Sequence, residues 1–203
     1  MEPTTDLSRS LTGEMRAFLE TLAREGLKNA AYGLSDFVGD EISFTTPTIE
    51  VTPIEEMLGV MGELQTVAIG IYVAIQGDMD GHIVLMLDRR NALELVDLLM
   101  DQPPGATHEL GSLERSALAE VGNLASARFL NAVSALTGLE IRLSPPGVME
   151  DMVGAMLGEI VASIGIDFDS ALLIGTAFQR SGRQVDAVFW IIPGLDVLAS
   201  TLS

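Results

Sequence analysis

The 203-residue sequence has no cysteine and only one lysine, Lys28. The absence of cysteine excludes disulfides, thiolate catalysis and cysteine-ligated metal sites. No apolar run approaches the roughly 20 residues that a membrane span requires, so we expect no insertion into a membrane. The first residues contain neither a basic segment nor a hydrophobic signal core, and we therefore expect a cytoplasmic protein.

Positive charge is also scarce, because 11 basic residues face 29 acidic ones and the formal net charge is −18. Such a surface repels nucleic acid and anionic lipid, so neither is expected as a partner. The acidity is found in many ordinary bacterial proteins. Combined with the shortage of lysine, it favours the hypothesis of a halophilic source, where salt screens the self-repulsion. The two histidines, His82 and His108, are not spaced as metal ligands, and we predict no metal site.

Apolar residues make up 48 % of the chain, and their spacing changes between helical and strand periods. The elements predicted in the first half are a helix over 11–37, a strand over 41–46 that Pro47 either closes or places at a sheet edge, a short helix from Pro53, a hairpin of 66–76 with 82–87, and a helix over 91–100. Those predicted in the second half are a helix over 109–136, a strand over 140–144 closed by Pro145 and Pro146, a helix over 149–164, a hairpin of 170–179 with 184–192, and a helix over 194–202.

The second half of the sequence repeats the first at a constant offset of 99 residues, as in 146 − 47. The matching pairs are Ser35 with Ser134, Gly39 with Gly138, Glu41 with Glu140, Ile42 with Ile141, and Pro47 with Pro146. This pattern predicts two repeats, at 11–100 and 109–203, joined by a linker at 101–108. Each repeat reads helix, strand, helix, hairpin, helix. Since one repeat could not cover its own sheet, we expect one α+β domain over 1–203 with a pseudo-two-fold axis and an antiparallel sheet.

A polar group stands out in the predicted helix over 109–136. Ser116, Glu120 and Asn123 follow at spacings of four and three, so they lie within roughly 60° of one another on one helix face. The neighbouring stripe expected to face the core is Leu110, Leu113, Ala117, Val121 and Leu124. The polar group is either a solvated helix face or a rigid display of a carboxylate and a carboxamide that positions a ligand.

The first repeat lacks this polar group. Subtracting 99 from the three positions gives Ala17, Thr21 and Arg24. Either a first site has decayed, or that half of the chain was never more than a scaffold.

Ser116, Glu120, Asn123 and Pro146, at spacings of 4, 3 and 23, resemble the signature of the CheC, CheX and FliY phosphatases of bacterial and archaeal chemotaxis. The resemblance extends from about residue 11 to residue 203, and the length is most similar to that of the CheC members. It implies a phosphoaspartate phosphatase that acts on the response regulator CheY in two-component signalling.

The resemblance also implies a role for each residue. Glu120 would pair with the lysine in the active site of the regulator, and Asn123 would hold a water in line with the phosphorus. Ser116 would contact the partner, and Pro146 would shape the turn that frames the helix. The Mg²⁺ of the reaction belongs to the regulator, so no cofactor is expected in this chain.

The face of the first repeat departs from the signature. Thr21 cannot form the ion pair, and the cationic Arg24 would clash with a lysine-bearing site, so we expect one active face. Arg24 could instead contact an acidic partner. Two alternatives to catalysis stay open. The chain could be an adaptor that binds and regulates the receptor deamidase CheD, which is also a partner within this family, or a component of the flagellar switch.

Overall fold

A computed structural model describes residues 13–53, 64–164, 170–193 and 197. The helices in these ranges are α1 (Gly13–Val38), α2 (Arg89–Leu99), α3 (Ser112–Thr137) and α4 (Val153–Ile164). The strands are β1 (Ser43–Phe44), β2 (Thr48–Pro53), β3 (Val67–Gly77), β4 (Gly81–Asp88), β5 (Ile141–Leu143), β6 (Gly147–Met152), β7 (Ser170–Arg180) and β8 (Arg183–Pro193).

The two long helices end where the sequence predicts. Gly39 follows α1 and Gly138 caps α3, with φ of 74° and 77°, a left-handed conformation in which glycine has no steric penalty. Each glycine N–H donates to a serine carbonyl oxygen of the last turn, from Gly39 to Ser35 and from Gly138 to Ser134, both at 2.8 Å. The boundaries of α1 and α3 differ by 99 residues (112 − 13 and 137 − 38), the offset of the predicted repeat.

Within the described ranges, strands from both halves form one antiparallel sheet of eight strands. Its order is β1-β7-β8-β4-β3-β5, with β2 also on β7 and β6 also on β3. The first short strands of each half therefore pair with the hairpin of the other half: Ile49 lies opposite Ile174, and Ile71 lies opposite Val148. Neither half contains all the partners of its own strands within the described residues.

Alternating side chains give the sheet two apolar faces. In β8, Phe189 and Ile191 belong to the core beneath α1, α2 and α3, whereas Trp190 and Ile192 belong to the core beneath α4. The described part of the chain is therefore layered, with α1, α2 and α3 on one face of the sheet and α4 on the other. The predicted α+β class with an antiparallel sheet is confirmed.

Two strands were not predicted. Residues 149–152 belong to β6, so the prediction of one helix over 149–164 is wrong in its first turn. β1 and β5 end before Pro47 and Pro146, but a further strand follows each proline, because β2 begins at Thr48 and β6 begins at Gly147. The physical reason is tertiary: β6 satisfies the backbone groups at the outer edge of β3, a partner distant in sequence.

The remaining short helices fall mostly outside the described residues. Pro53 is the last residue of β2, and the rest of the helix predicted from it is not described. The predicted helix over 194–202 is described only at Val197, which is helical. In the described ranges, no helix is both long enough and apolar enough to cross a membrane.

The predicted linker, 101–108, contains neither helix nor strand but is held by one buried carboxylate. Asp97 of α2 is fully buried and accepts hydrogen bonds from the N–H groups of Gly105, Ala106 and Thr107 at 2.8 to 3.1 Å. Burial acts to raise the pKa of Asp97, but these bonds and one from the Thr107 hydroxyl outweigh burial and lower the pKa.

Candidate functional site

The polar group predicted from the sequence lies on one stripe of α3. Ser116 is exposed, and Glu120 and Asn123 are half-buried. The Ser116 hydroxyl donates to the Ser112 carbonyl oxygen of the preceding turn at 2.8 Å. Across the described ranges, neither the Glu120 carboxylate nor the Asn123 carboxamide has a hydrogen bond or ion pair. Both groups can therefore engage an external ligand without first breaking an internal contact.

The predicted apolar stripe beside this group is wrong at one position. Leu113 is 60 % exposed, although Val121 is buried as expected. The buried residues of α3 are Leu118, Val121, Gly122, Ala125, Ser126, Phe129, Leu130, Ala132 and Val133. The core face is thus rotated away from Leu113, which instead falls within roughly 80° of Ser116, Glu120 and Asn123. An exposed leucine therefore lies beside the polar stripe, towards the start of α3.

Close packing fixes the height of this stripe above the sheet. Gly122, next to Asn123, rests on Ile71 of β3 so closely that a Cβ at this position would lie 2.3 Å from Ile71 Cγ2. Glycine is required here because the helix backbone and the strand side chain meet without a spacer. The position of Asn123 consequently depends on the sheet as well as on α3.

Pro146 immediately precedes β6 at the edge of the sheet. Val148 of β6 pairs with Ile71, the residue beneath Gly122. The adjacent Ser144 is fixed to β3, since its hydroxyl oxygen accepts from the Ala74 N–H and its own N–H donates to the Ala74 carbonyl oxygen, both at 2.9 Å. Pro146 therefore lies in the short break between β5 and β6, which both pair with β3, the strand that supports the polar stripe.

An ion-pair network near the start of α3 was not predicted. Glu150 of β6 binds Arg115 of α3 through Oε2 and Nη2 at 2.6 Å, and Arg89 of α2 through Oε1 and Nε at 3.2 Å. No sequence spacing indicates this contact, because residue 150 was predicted to be helical. The network connects α2, α3 and β6 next to Ser116 and holds these three elements together there.

The counterpart residues of the first half lie on the outer face of α1. Ala17, Thr21 and Arg24 are all exposed, and the Thr21 hydroxyl donates to the Ala17 carbonyl oxygen at 2.9 Å. This face presents a guanidinium at the position that corresponds to the Asn123 carboxamide (123 − 99 = 24). It therefore displays a different chemistry from the stripe on α3.

The two histidines lie outside this polar stripe. Tyr72 Oη and His82 Nδ1 are 2.6 Å apart on the β3–β4 hairpin, and burial lowers the pKa of His82 despite the opposing charge of Asp80. His108 is exposed, and its carbonyl oxygen accepts from Arg89. Among the residues that the structure describes, no group of three or more histidines or carboxylates could hold a metal ion.

The segment that contains Ser116, Glu120, Asn123 and Pro146 matches a known family. The CheC-like family model matches residues 113–150. This segment is CheC-like. It begins at Leu113 and ends at Glu150, so it spans the polar stripe, Pro146 and both ends of the ion pair between Arg115 and Glu150.

Full-length relatives extend the similarity beyond the CheC-like segment. The chain is 24 % identical over 187 residues to the CheY-P phosphatase CheC of Bacillus subtilis, covering 90 % of each chain. It is 23 % identical over 185 residues to the CheC1 protein of Halobacterium salinarum, covering 90 % of this chain and 91 % of that one. Among solved structures, FliY of Thermotoga maritima matches with a TM-score of 0.75 and 20 % identity over 95 % of this chain and 96 % of its own. The CheC-like segment is thus embedded in a FliY-like fold.

Proposed function

We propose that this protein is a phosphatase that hydrolyses the aspartyl phosphate of a CheY-type response regulator, with its active face on α3. The observation that carries the proposal is the pair of Glu120 and Asn123 in the CheC-like segment, neither of which has a hydrogen bond or ion pair with another described residue. The similarity to a CheY-P phosphatase over nine-tenths of both chains supports the same reaction.

Asn123 is suited to position the attacking water. The water attacks phosphorus, the bond between phosphorus and the aspartyl oxygen breaks, and inorganic phosphate and the free carboxylate are released. An acyl phosphate is already activated, so the main task is to hold the water in line. A carboxamide can donate and accept hydrogen bonds at once and carries no charge that would repel the phosphoryl oxygens.

Glu120 is suited to docking and not to hydrolysis. Its carboxylate would repel a phosphoryl group but attract the lysine expected in the active site of the regulator. Because Glu120 has no ion pair with the described residues, its binding to that lysine does not compete with an internal one. Ser116, one turn earlier, would contact the partner, and the Mg²⁺ would be supplied by the regulator.

The test is single-turnover dephosphorylation of the phosphorylated regulator by the Asn123→Ala variant. We expect a rate loss of about 100-fold or more, since the water would no longer be oriented. The control is Asn131→Ala, which removes an exposed asparagine from the same helix and should leave the rate unchanged. A rate equal to that of the wild type in the Asn123 variant would contradict the proposed mechanism.

A second candidate is an adaptor that binds the deamidase CheD, favoured by the absence of the signature from the face of α1. The two functions are distinguished when turnover of the phosphorylated regulator and affinity for CheD are measured side by side. Tight binding of CheD with negligible turnover would favour the adaptor.

A further inference from the structure

A groove lies between α1 and the chain that follows it. It has a volume of about 650 Å³, which falls within the range of ligand sites in proteins, roughly 300–1,000 Å³. Arg24, Lys28 and Tyr32 of α1 line one side, and Phe44 and Pro47 line the other. Arg24 and Pro47 correspond to Asn123 and Pro146 at the offset of 99, so the groove adjoins the face that lacks the phosphatase signature.

The walls of the groove are fixed by internal contacts. The Ser35 hydroxyl oxygen accepts from the Ile42 N–H at 2.8 Å and lies 2.7 Å from the Ala31 carbonyl oxygen, which ties α1 to the facing segment. Phe44 packs on Phe178 of β7 with ring centroids 4.7 Å apart. A rigid groove loses little conformational entropy when a ligand binds.

The charge of the groove is opposite to that of the molecule. Arg24 is exposed and makes no ion pair within the described residues, and Lys28 makes one long contact with Glu25 at 3.9 Å between two exposed side chains. Glu41 is the one acidic residue among the described residues that line the groove. In a chain with a formal charge of −18, two cations directed at one groove indicate a ligand that carries a negative charge.

The groove also presents apolar surface. Tyr32 is 63 % exposed, and it falls within roughly 80° of Arg24 and Lys28 on α1. Tyrosine and arginine are enriched among the hot-spot residues that contribute most of the binding energy in protein interfaces. Two cations and one carboxylate in the lining match a single acidic side chain better than a polyanion, which the acidic molecule would repel as a whole.

We propose that this groove binds a segment of a partner protein in which one acidic residue is flanked by apolar residues. Its carboxylate pairs with the Arg24 guanidinium, with Lys28 nearby, and its apolar side chains cover Tyr32. The proposal does not require the phosphatase activity, because none of these residues lies on α3.

The test uses an array of hexapeptides, each with one Asp or Glu among Leu, Ile, Phe and Tyr, probed with the full chain. A second array replaces the acid by its amide, and a third replaces the apolar residues by serine. We expect capture on the first array to exceed that on the other two by about tenfold. Arg24→Glu and Tyr32→Ser should each abolish this preference. Arg142→Glu, which makes the same charge change at an exposed site outside the groove, should preserve it.

Several results would overturn the proposal. These are equal capture on the acid and amide arrays, or capture that Arg24→Glu does not weaken. A dimer in sedimentation that Arg24→Glu dissociates would show that a second copy fills the groove. Capture that appears only after removal of residues 1–12 would show that the protein's own N-terminal segment fills it. Loss of phosphatase activity with the array result intact would affect only the proposed function.

Discussion

At the scale of single residues, the candidate site depends on which side chains of α3 are exposed. Glu120, Asn123 and Leu113 share the outward stripe of α3, and Leu113 is the member that sequence periodicity assigns to the core. The helical period places Leu113 near both stripes, and the rotation of the helix is fixed by its tertiary packing, including the contact of Gly122 with Ile71. The polar residues were therefore predictable from their spacing, and the apolar one was not.

Leu113 should contribute to binding of the regulator and not to the chemical step. We expect Leu113→Ser to raise KM by about tenfold with kcat unchanged, because an exposed leucine that becomes buried in a complex contributes about 1.5 kcal/mol. The control is Leu136→Ser, which alters another exposed leucine, 49 % exposed, in the last turn of α3. Equal KM values for the two variants would show that Leu113 makes no contact with the regulator.

Asp97 should make a large contribution to stability that depends on pH. Asp97→Asn should lower the free energy of unfolding by about 3 kcal/mol at neutral pH, because an amide cannot accept all the hydrogen bonds that the buried carboxylate accepts. The folded-state pKa lies below the usual 3.8, so this contribution is complete above that value and is lost as the pH falls through the folded-state pKa.

Urea unfolding of the two proteins between neutral pH and pH of about 3 checks this expectation, since their difference should shrink at the acidic end. Asp36→Asn, which changes an exposed carboxylate on α1, should cost less than about 0.5 kcal/mol at any pH. A constant difference across the pH range would contradict the assigned role of the charge.

At the scale of elements, the sequence predicted what is local and failed where the partner is distant. Gly39 and Gly138 mark the ends of α1 and α3, and each hairpin carries its own turn, so all of these were predictable. The strands β2 and β6 were not, because they exist through pairing with β7 and β3. Val148 and Met149 are compatible with helix or strand, and they form a strand because they pair with the edge of β3.

The contact between α3 and β3 should link stability to activity. Gly122→Ala should lower the free energy of unfolding by about 1–3 kcal/mol and reduce phosphatase activity, because the new methyl group would overlap Ile71 and displace Asn123. Gly158→Ala on α4, where nothing lies within 4 Å of the added Cβ, should instead stabilise the protein by about 0.5–1 kcal/mol. Thermal unfolding and single-turnover assays of both variants provide the measurement, and an active, stable Gly122 variant would contradict this account.

At the scale of the whole molecule, the excess of acidic charge should make stability depend on salt. We expect the melting temperature to rise between about 0.05 M and 1 M KCl, because the Debye length falls to about 3 Å and the self-repulsion is screened. Replacing the exposed Glu14, Asp36 and Glu159 by lysine should raise the melting temperature at low salt and flatten this dependence. A wild-type melting temperature that does not change with salt would count against adaptation to a saline cytoplasm.

The exchange of strands between the halves also sets an order of events during synthesis. Thr48 of β2 lies opposite Gly175 of β7, 127 residues later in the chain (175 − 48). A ribosome that adds roughly 5–20 residues per second needs about 6–25 s to make that partner. During this interval Ile49, which packs against the core of the finished protein, has no sheet to join. The nascent chain should therefore expose an unpaired apolar edge until its final hairpin emerges, and this edge is where a chaperone or an aggregating neighbour would first meet the protein.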